Sequence, residues 1–205
     1  MSGRFSLVIR DADREDAASL IELWDQCAVA SRDEGVEAFS QQALWRKPGV
    51  AEAAAAIELN LSRPDKRILV ALVEGDVVGA IVCDLQTLNP ISLTRVLLIT
   101  DLQVMPRYRR HSVASALLSA AAAFGEDAHC EIVLACIPAH SREPARYLAK
   151  MGFNQVAIVR AIQASKLRSR LAGKATNSTQ TGKLIAVRRT LRRRQADPGR
   201  LRPRA

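Results

Sequence analysis

Three apolar, β-branched runs in the middle of the chain constrain its fold most strongly. The runs RILVALVE (67–74) and VVGAIVCDL (77–85) are joined by Gly75-Asp76, a dipeptide typical of the tight turn in a β-hairpin. A third run, TRVLLITDLQV (94–104), follows after a short polar connection. Consecutive strands with short connections pair antiparallel, so the sequence predicts a three-stranded meander. Each run is far shorter than the roughly 20 residues needed to cross a bilayer, and we expect no membrane-spanning segment.

The residues on either side of the meander alternate between strand and helix patterns. A strand is predicted at 6–10, and Asp11 or Asp13 is expected to cap the helix that follows it. The segment 31–48 is less regular and is predicted as a short helix with a loop. The remaining predicted elements are a helix at 50–61, a helix at 112–124 that begins at Ser112 and ends at Gly125, a strand at 130–136, a helix at 142–151 and a last strand at 153–162.

The resulting order is β-α-α-β-β-β-α-β-α-β. Helical connections between strands favour parallel pairing, whereas the meander is antiparallel. The sequence therefore predicts an α/β fold with a mixed central sheet covered on both faces.

The positive charge of the chain lies almost entirely at one end. The 205 residues carry a formal net charge of +9, but residues 1–165 have a net charge of −3 and residues 166–205 a net charge of +12. The basic segment also has two prolines after an arginine-rich run and little apolar sequence. We therefore expect one folded domain at 1–165 and a basic, largely disordered tail at 166–205.

The cysteines and histidines do not follow the spacing of a metal site. There is no CxxC pair among Cys27, Cys83, Cys130 and Cys136, and the three histidines are scattered. We expect buried, reduced thiols, no metal and a cytoplasmic location. Acidic residues occur close to the N-terminus, which argues against a secretory signal.

The segment LITDLQVMPRYRRHSVASALL (98–118) has the features of an anion site. A strand leads through a turn rich in arginine into a helix whose first residues are small. The N–H groups of a helix's first turn lack partners within the helix and lie at the positive end of its dipole. Arg107, Arg109 and Arg110 add charge that suits a pyrophosphate.

This segment resembles the pyrophosphate-binding motif of the GNAT superfamily, the acyl-coenzyme A-dependent N-acyltransferases, which commonly reads V-x-P-x-Y-R-x-x-G-x-G-x-x-L-L. The motif glycines are replaced here by Ser112 and Ala114. The run ARYLAKMGF (145–153) is similar to a second family pattern, A-x-F-Y-x-K-x-G-F, and the resemblance covers about residues 6–160. The residues that match the first motif are Val104, Pro106, Tyr108, Arg109, Leu117 and Leu118, and those that match the end of the second are Lys150, Gly152 and Phe153.

The resemblance implies a fold, a co-substrate and a set of binding residues. The main chain from Leu102 to Val104 would pair with the pantetheine arm of acetyl-coenzyme A at a splayed strand edge. The backbone amides from Arg110 to Ala114 would hold the pyrophosphate. The residues expected to contact the coenzyme are Leu102, Val104, Arg109, Arg110, His111, Ser112, Val113, Ala114 and Ser115.

Two residues are candidates for proton transfer. Asp101, at the strand end, would act as a base or orient the amine, or would be a solvated or arginine-paired carboxylate. The tyrosine that often serves as general acid in the family is replaced by Leu148, and its neighbour Tyr147 is either the acid or a packing residue.

Two functions from different classes follow. The first is an N-acetyltransferase that moves an acetyl group from acetyl-coenzyme A to a primary amine of unknown identity, as a monomer or a homodimer. The second is a GNAT-like protein without catalysis that acts on nucleic acid or a ribonucleoprotein through weak binding by residues 166–205. We expect no membrane partner for either.

Overall fold

The computed structural model describes residues 6–33, 45–137 and 142–172, and for 31–33 it describes the backbone alone. The chain divides into two compact units, Met1–Val156 and Ala157–Ala205. In the second unit, residues 164–172 form a helix, so the first part of the expected basic tail is helical. Residues 173–205 lie outside the described part of the chain.

The first unit is built on a mixed five-stranded sheet in the order β1-β2-β3-β4-β5. The first three pairings are antiparallel and the pairing of β4 with β5 is parallel. This confirms the predicted meander and mixed sheet. The strands are β1 (Leu7–Asp11), β2 (Lys66–Val73), β3 (Asp76–Thr87), β4 (Arg95–Val104) and β5 (Ile132–Ala135).

Helices cover both faces of this sheet, as predicted. Along β2 the side chains of Leu69 and Ala71 enter one core, and those of Ile68 and Val70 enter the other, because successive residues of a strand point to opposite faces. The first core also contains residues of α3 and α4, and the second contains residues of α1 and α2. The helices are α1 (Ala17–Asp33), α2 (Val50–Leu61), α3 (Val113–Asp127) and α4 (Arg142–Lys150).

Asp13 is the residue that caps the segment after β1. Its carboxylate accepts the N–H groups of Glu15 and Asp16, and the carboxylate of Asp16 accepts the N–H of Asp13 in return. This capping box begins a 3-10 turn (Arg14–Asp16) that leads directly into α1. Asp11, the other candidate, instead forms an ion pair with Arg67, with 2.6 Å between Oδ1 and Nε.

Two glycine assignments from the sequence were wrong. The hairpin turn is Glu74-Gly75 and not Gly75-Asp76, because Asp76 pairs with Val73 in the ladder and Glu74 and Gly75 have φ values of 54° and 91°. Gly125 does not end α3, which continues to Asp127. An added Cβ at Gly125 would lie 3.3 Å from Leu97 Cδ2, so this glycine lets the helix approach β4 closely.

The predicted last strand at 153–162 was also wrong, since no strand forms in these residues. Val156, Ile158 and Val159 are 76%, 67% and 84% exposed. β-Branched composition favours a strand only where a neighbouring strand takes up its backbone hydrogen bonds, and within the described residues no strand pairs with this segment. The predicted helix and loop at 31–48 falls largely on 34–44, outside the described residues. Across the described ranges, none of the helices has the length and apolar content that a bilayer crossing requires.

Gly79 controls how closely α3 can pack on the sheet. A Cβ added at this position of β3 would lie 2.9 Å from Val113 Cγ1, 3.1 Å from the carbonyl oxygen of Gln103 and 3.2 Å from Leu117 Cδ1. Contacts this short force a shift of the backbone or of well-packed side chains. The glycine therefore fixes the position of the first turn of α3 against β3 and β4.

We predict that Gly79→Ala lowers the free energy of unfolding by about 1–3 kcal/mol through overpacking. Removing the Val113 methyl groups relieves part of the clash, so the double variant Gly79→Ala/Val113→Ala should lose less stability than the sum of the single variants. Denaturant unfolding of the four proteins measures this coupling. If the stability lost by the double variant equalled the sum for the two single variants, Val113 of α3 would not be in close contact with position 79.

Candidate functional site

Strands β4 and β5 separate halfway along β4. Their parallel pairing ends at Ile99 and Ala135, while β4 continues to Val104. A β-bulge lies at the same place, because Val82 faces Asp101 and Cys83 faces Ile99, which leaves Thr100 as an extra residue in β4. Beyond Ile99, no strand of the described chain lies beside β4 on this side. The sheet therefore opens toward the C-terminal end of β4.

The backbone of the open part of β4 has a defined orientation. Met105 donates its N–H to the carbonyl of Val78, on the β3 side, over 2.9 Å. Because N–H groups alternate in direction along a strand, those of Leu102 and Val104 point away from β3, into the opening. On the same side, the carbonyl oxygen of Val104 lies 3.4 Å from the thiol of Cys27 on α1.

The connection from β4 to α3 requires two residues with left-handed backbone conformations. A 3-10 turn, Pro106–Tyr108, is followed by Arg110 and Ser112 at φ values of 67° and 62°. Ser112 directly precedes α3, but its side chain makes no capping hydrogen bond. Ser112 thus stands where a glycine would adopt the same conformation without steric cost.

Ala114, the other residue that replaces a motif glycine, lies inside α3. Its φ is not positive, so an alanine fits there without strain. The first hydrogen bond of α3 runs from the N–H of Ala116 to the carbonyl of Ser112 over 3.0 Å. The N–H groups of Val113, Ala114 and Ser115 precede it and have no carbonyl of the helix to bind.

A cavity of about 360 Å³ joins these features. Its walls come from the open part of β4, the 3-10 turn, the first turn of α3, the two residues after β5, α4 and α1. Backbone donors at a helix N-terminus and arginine side chains make one end suitable for an anion. Of the residues predicted from the sequence, those on the cavity wall are Asp101, Leu102, Val104, Arg109, Arg110, Ser112, Val113, Ala114, Ser115 and Tyr147.

Arg107, whose charge was expected at the pyrophosphate, does not line the cavity, and its guanidinium carbon lies 5.1 Å from the centroid of the Tyr108 ring. His111 is the other predicted site residue that does not line it. Its ring is exposed, and Nδ1 lies 2.9 Å from the carbonyl oxygen of Arg109, within the same turn. The wall residues outside the 98–118 segment that sequence reasoning missed are Cys27, Cys136, Ile137, Glu143 and Pro144. No local pattern marks them, because α1, β5 and α4 approach β4 only in the folded chain.

Asp101 lies in the opening between β4 and β5. Its Oδ1 is 3.5 Å from Nε2 of Gln103, a long hydrogen bond. Burial raises the pKa of Asp101 above the usual range of an aspartate, and this effect outweighs the hydrogen bond from Gln103. The carboxylate is thus a better proton acceptor than a solvated aspartate.

The cysteine thiols near this site hold their protons firmly. Burial raises the pKa of Cys27 to about 11 and that of Cys83, deep in the sheet, to about 12. Burial and the neighbouring carboxylate of Asp101 also raise the pKa of Cys136. Neutral thiols are poor nucleophiles. Among the described residues, no three His, Cys, Asp or Glu side chains gather where they could hold a metal ion.

Tyr147 and Leu148 occupy different environments on α4. The hydroxyl of Tyr147 lies 2.8 Å from Oγ of Ser115 on the first turn of α3. Leu148, which stands where the family pattern has its tyrosine, is 5% exposed and belongs to the core. The hydroxyl group therefore reaches the cavity from Tyr147, one residue earlier in the helix.

Comparison with known proteins adds to this geometry. Residues 19–153 match the model of the family described as acetyltransferase (GNAT). A search of curated proteins by sequence found no match. The fold is similar to a glucosamine-6-phosphate N-acetyltransferase from Arabidopsis thaliana, with a TM-score of 0.61, 16% identity and coverage of 78% of this chain and 99% of the other.

Two other solved structures share the fold. An aminoglycoside N-acetyltransferase in complex with CoA has a TM-score of 0.60 and 16% identity, over 80% of this chain and 97% of the other. A transcriptional regulator from Bacillus halodurans has a TM-score of 0.64 and 13% identity, over 77% of this chain and 99% of the other. At these identities the similarity establishes the fold alone.

The left-handed conformation at Ser112 predicts a stabilising substitution. Ser112→Gly should raise the free energy of unfolding by about 0.5–1 kcal/mol, because glycine adopts this φ without strain and no capping bond is lost. Ser119→Gly, on the exposed side of the same helix, should lower stability by several tenths of a kcal/mol. If thermal unfolding showed that both variants lose the same stability, the proposed strain at Ser112 would be contradicted.

The raised pKa of Asp101 predicts a pH-dependent effect of its removal. Folding favours the protonated form, so the wild type loses stability as the pH rises from the ordinary aspartate range through the raised pKa. The Tm of Asp101→Asn should therefore increase relative to wild type between pH 3 and pH 7. Asp84→Asn, which removes a 2.6 Å ion pair with Lys66, should lower the Tm at pH 7. If the difference in Tm between Asp101→Asn and wild type stayed constant from pH 3 to pH 7, the raised pKa of Asp101 would be contradicted.

Proposed function

Because this chain belongs to the GNAT acetyltransferase family, we propose that it transfers an acetyl group from acetyl-coenzyme A to a primary amine. The observation that carries the proposal is the cavity shared by the open edge of β4 and the first turn of α3. One end presents backbone groups in the extended conformation, and the other presents helix N–H groups and arginines. An elongated ligand with an amide-bearing arm and a pyrophosphate fits both ends.

Specific groups would hold the coenzyme. The N–H groups of Leu102 and Val104 point into the opening and would pair with the pantetheine arm as a further strand does. The N–H groups of Val113 to Ser115 would bind pyrophosphate oxygens at the helix N-terminus. The guanidinium groups of Arg109 and Arg110 would add charge-assisted hydrogen bonds.

The chemistry needs little beyond positioning and proton transfer. The amine nitrogen attacks the thioester carbonyl, a C–N bond forms, and the C–S bond breaks to release the thiolate. Asp101 is proposed to accept the proton that the amine loses, since its raised pKa favours protonation. Tyr147 is proposed to donate a proton to the thiolate: its hydroxyl lies on the cavity wall and would leave Ser115 and turn toward the sulfur when the coenzyme is bound.

The acceptor is proposed only as a primary amine. Two of the similar structures are N-acetyltransferases of an aminoglycoside and of glucosamine-6-phosphate, which supports N-acetylation as the class of reaction. Those two acceptors differ, and this chain shares 16% identity with each protein. The fold therefore supports N-acetylation of a primary amine as the class of reaction.

Isothermal titration of the full chain with acetyl-coenzyme A tests the proposal. We expect saturable heat, and Arg109→Met should weaken binding by about tenfold or more, the typical value of a hydrogen bond between charged groups. Arg95→Met, at the opposite end of β4, is the matched control and should leave binding unchanged. Far-UV circular dichroism checks that both variants fold.

The absence of heat at millimolar acetyl-coenzyme A would contradict the proposed enzyme. The alternative would then be a binding protein that contacts nucleic acid through its basic C-terminal segment. Its support is the net charge of +12 in residues 166–205.

A further inference from the structure

One face of α4 contacts the proposed pyrophosphate site at two points. Near the start of the helix, Oε1 of Glu143 lies 3.3 Å from a terminal guanidinium nitrogen of Arg110, and Oε2 lies 4.0 Å from one of Arg109. One turn later, the hydroxyl of Tyr147 lies 2.8 Å from Oγ of Ser115. Residues four apart lie on the same face of a helix, so both contacts come from a single surface of α4.

The partners of this surface are residues that the proposed function assigns to the coenzyme. Arg109, Arg110 and Ser115 line the anion end of the cavity, and Glu143 lines it with them. A carboxylate whose two oxygens face two guanidinium groups takes the place that phosphate oxygens would take. Glu143 is thus an anion supplied by the chain itself at the site where an external anion is expected.

We propose that Glu143 is an internal competitor for the pyrophosphate: its carboxylate holds Arg109 and Arg110 until the coenzyme replaces it. This inference rests on the proposed function and adds a residue that sets coenzyme affinity. Ligands with two phosphates displace the carboxylate, because they bring more charge and more acceptor oxygens to the same donors.

The exposure of the groups indicates how strongly Glu143 competes. The side chains of Glu143 and Arg110 are 54% and 87% exposed, and that of Arg109 is 33% exposed. Ion pairs this close to solvent are weak and are screened by salt. The competition should therefore change coenzyme affinity by about two- to fivefold at low ionic strength, with a smaller change at high salt.

The test measures coenzyme A binding by isothermal titration in wild type and Glu143→Gln. The variant should bind about two- to fivefold more tightly at low salt, and the gain should shrink as salt is added. Glu131→Gln, an exposed position just before β5, is the matched control and should bind as wild type does. An unchanged or weaker affinity in Glu143→Gln would overturn the proposal.

A second comparison separates displacement from general repulsion between Glu143 and an anionic ligand. In an Arg110→Met background the nearer partner of Glu143 is absent, so Glu143→Gln should bring a smaller gain than in wild type. If Glu143→Gln increased coenzyme A affinity equally in both backgrounds, the effect would be long-range repulsion, and the proposed displacement of Glu143 from Arg110 would be overturned.

Titration with inorganic pyrophosphate distinguishes failure of this inference from failure of the proposed function. Tighter pyrophosphate binding by Glu143→Gln, with no coenzyme A binding by either protein, would support the competition and contradict the enzyme. Coenzyme A binding that is equal in both proteins would support the enzyme and contradict the competition. No binding of either ligand to either protein would contradict both.

Discussion

The pairing of β4 with β5 stops at Ile99, and the arrangement of the site follows from that break. A strand that continued beside β4 would take up the N–H groups of Leu102 and Val104 in a ladder, and the cavity would be closed. The bulge at Thr100 contributes to the opening, because an extra residue changes which backbone groups face β3 and increases the local twist. The close packing of α3 at Gly79 then holds the helix N-terminus beside the open edge.

The two residues that replace motif glycines have different consequences. Ala114 sits within α3, where an alanine is the best helix former, so that replacement leaves the helix intact. Ser112 keeps a left-handed conformation at a cost in strain, and the chain still begins α3 at the next residue. The anion end of the cavity is therefore preserved in backbone geometry although the motif is altered in sequence.

The features that the sequence predicts well are those encoded locally. The apolar, β-branched runs in 67–104 identify the meander, and the strand–turn–helix pattern around Arg109 identifies the anion end of the site. Features that depend on contacts between distant segments were missed. In the sequence Gly125 has the pattern of a helix end, but in the fold it allows α3 to approach Leu97 closely. Glu143 binds Arg110, which is 33 residues away in the sequence, and no sequence motif predicts this contact.

In the segment 153–162 the local sequence predicts an element that the fold does not form. Its β-branched residues favour a strand locally, yet a strand forms only where another strand accepts its hydrogen bonds.

The orientation of the tyrosine on α4 is a further feature that the sequence alone does not determine. A shift of one residue turns a helical side chain by about 100°, and only the fold shows that the Tyr147 hydroxyl reaches Ser115 while the Leu148 side chain is buried in the core.

The most direct test of the account is amide hydrogen exchange, with and without coenzyme A, resolved to single residues. If the open edge of β4 and the first turn of α3 form one binding site, coenzyme A should slow exchange at Leu102, Val104 and the amides of Val113 to Ser115. The amides of β1 and β2, on the far side of the sheet, should be unaffected. Protection confined to other elements, with these amides unchanged when ligand is bound, would contradict the account.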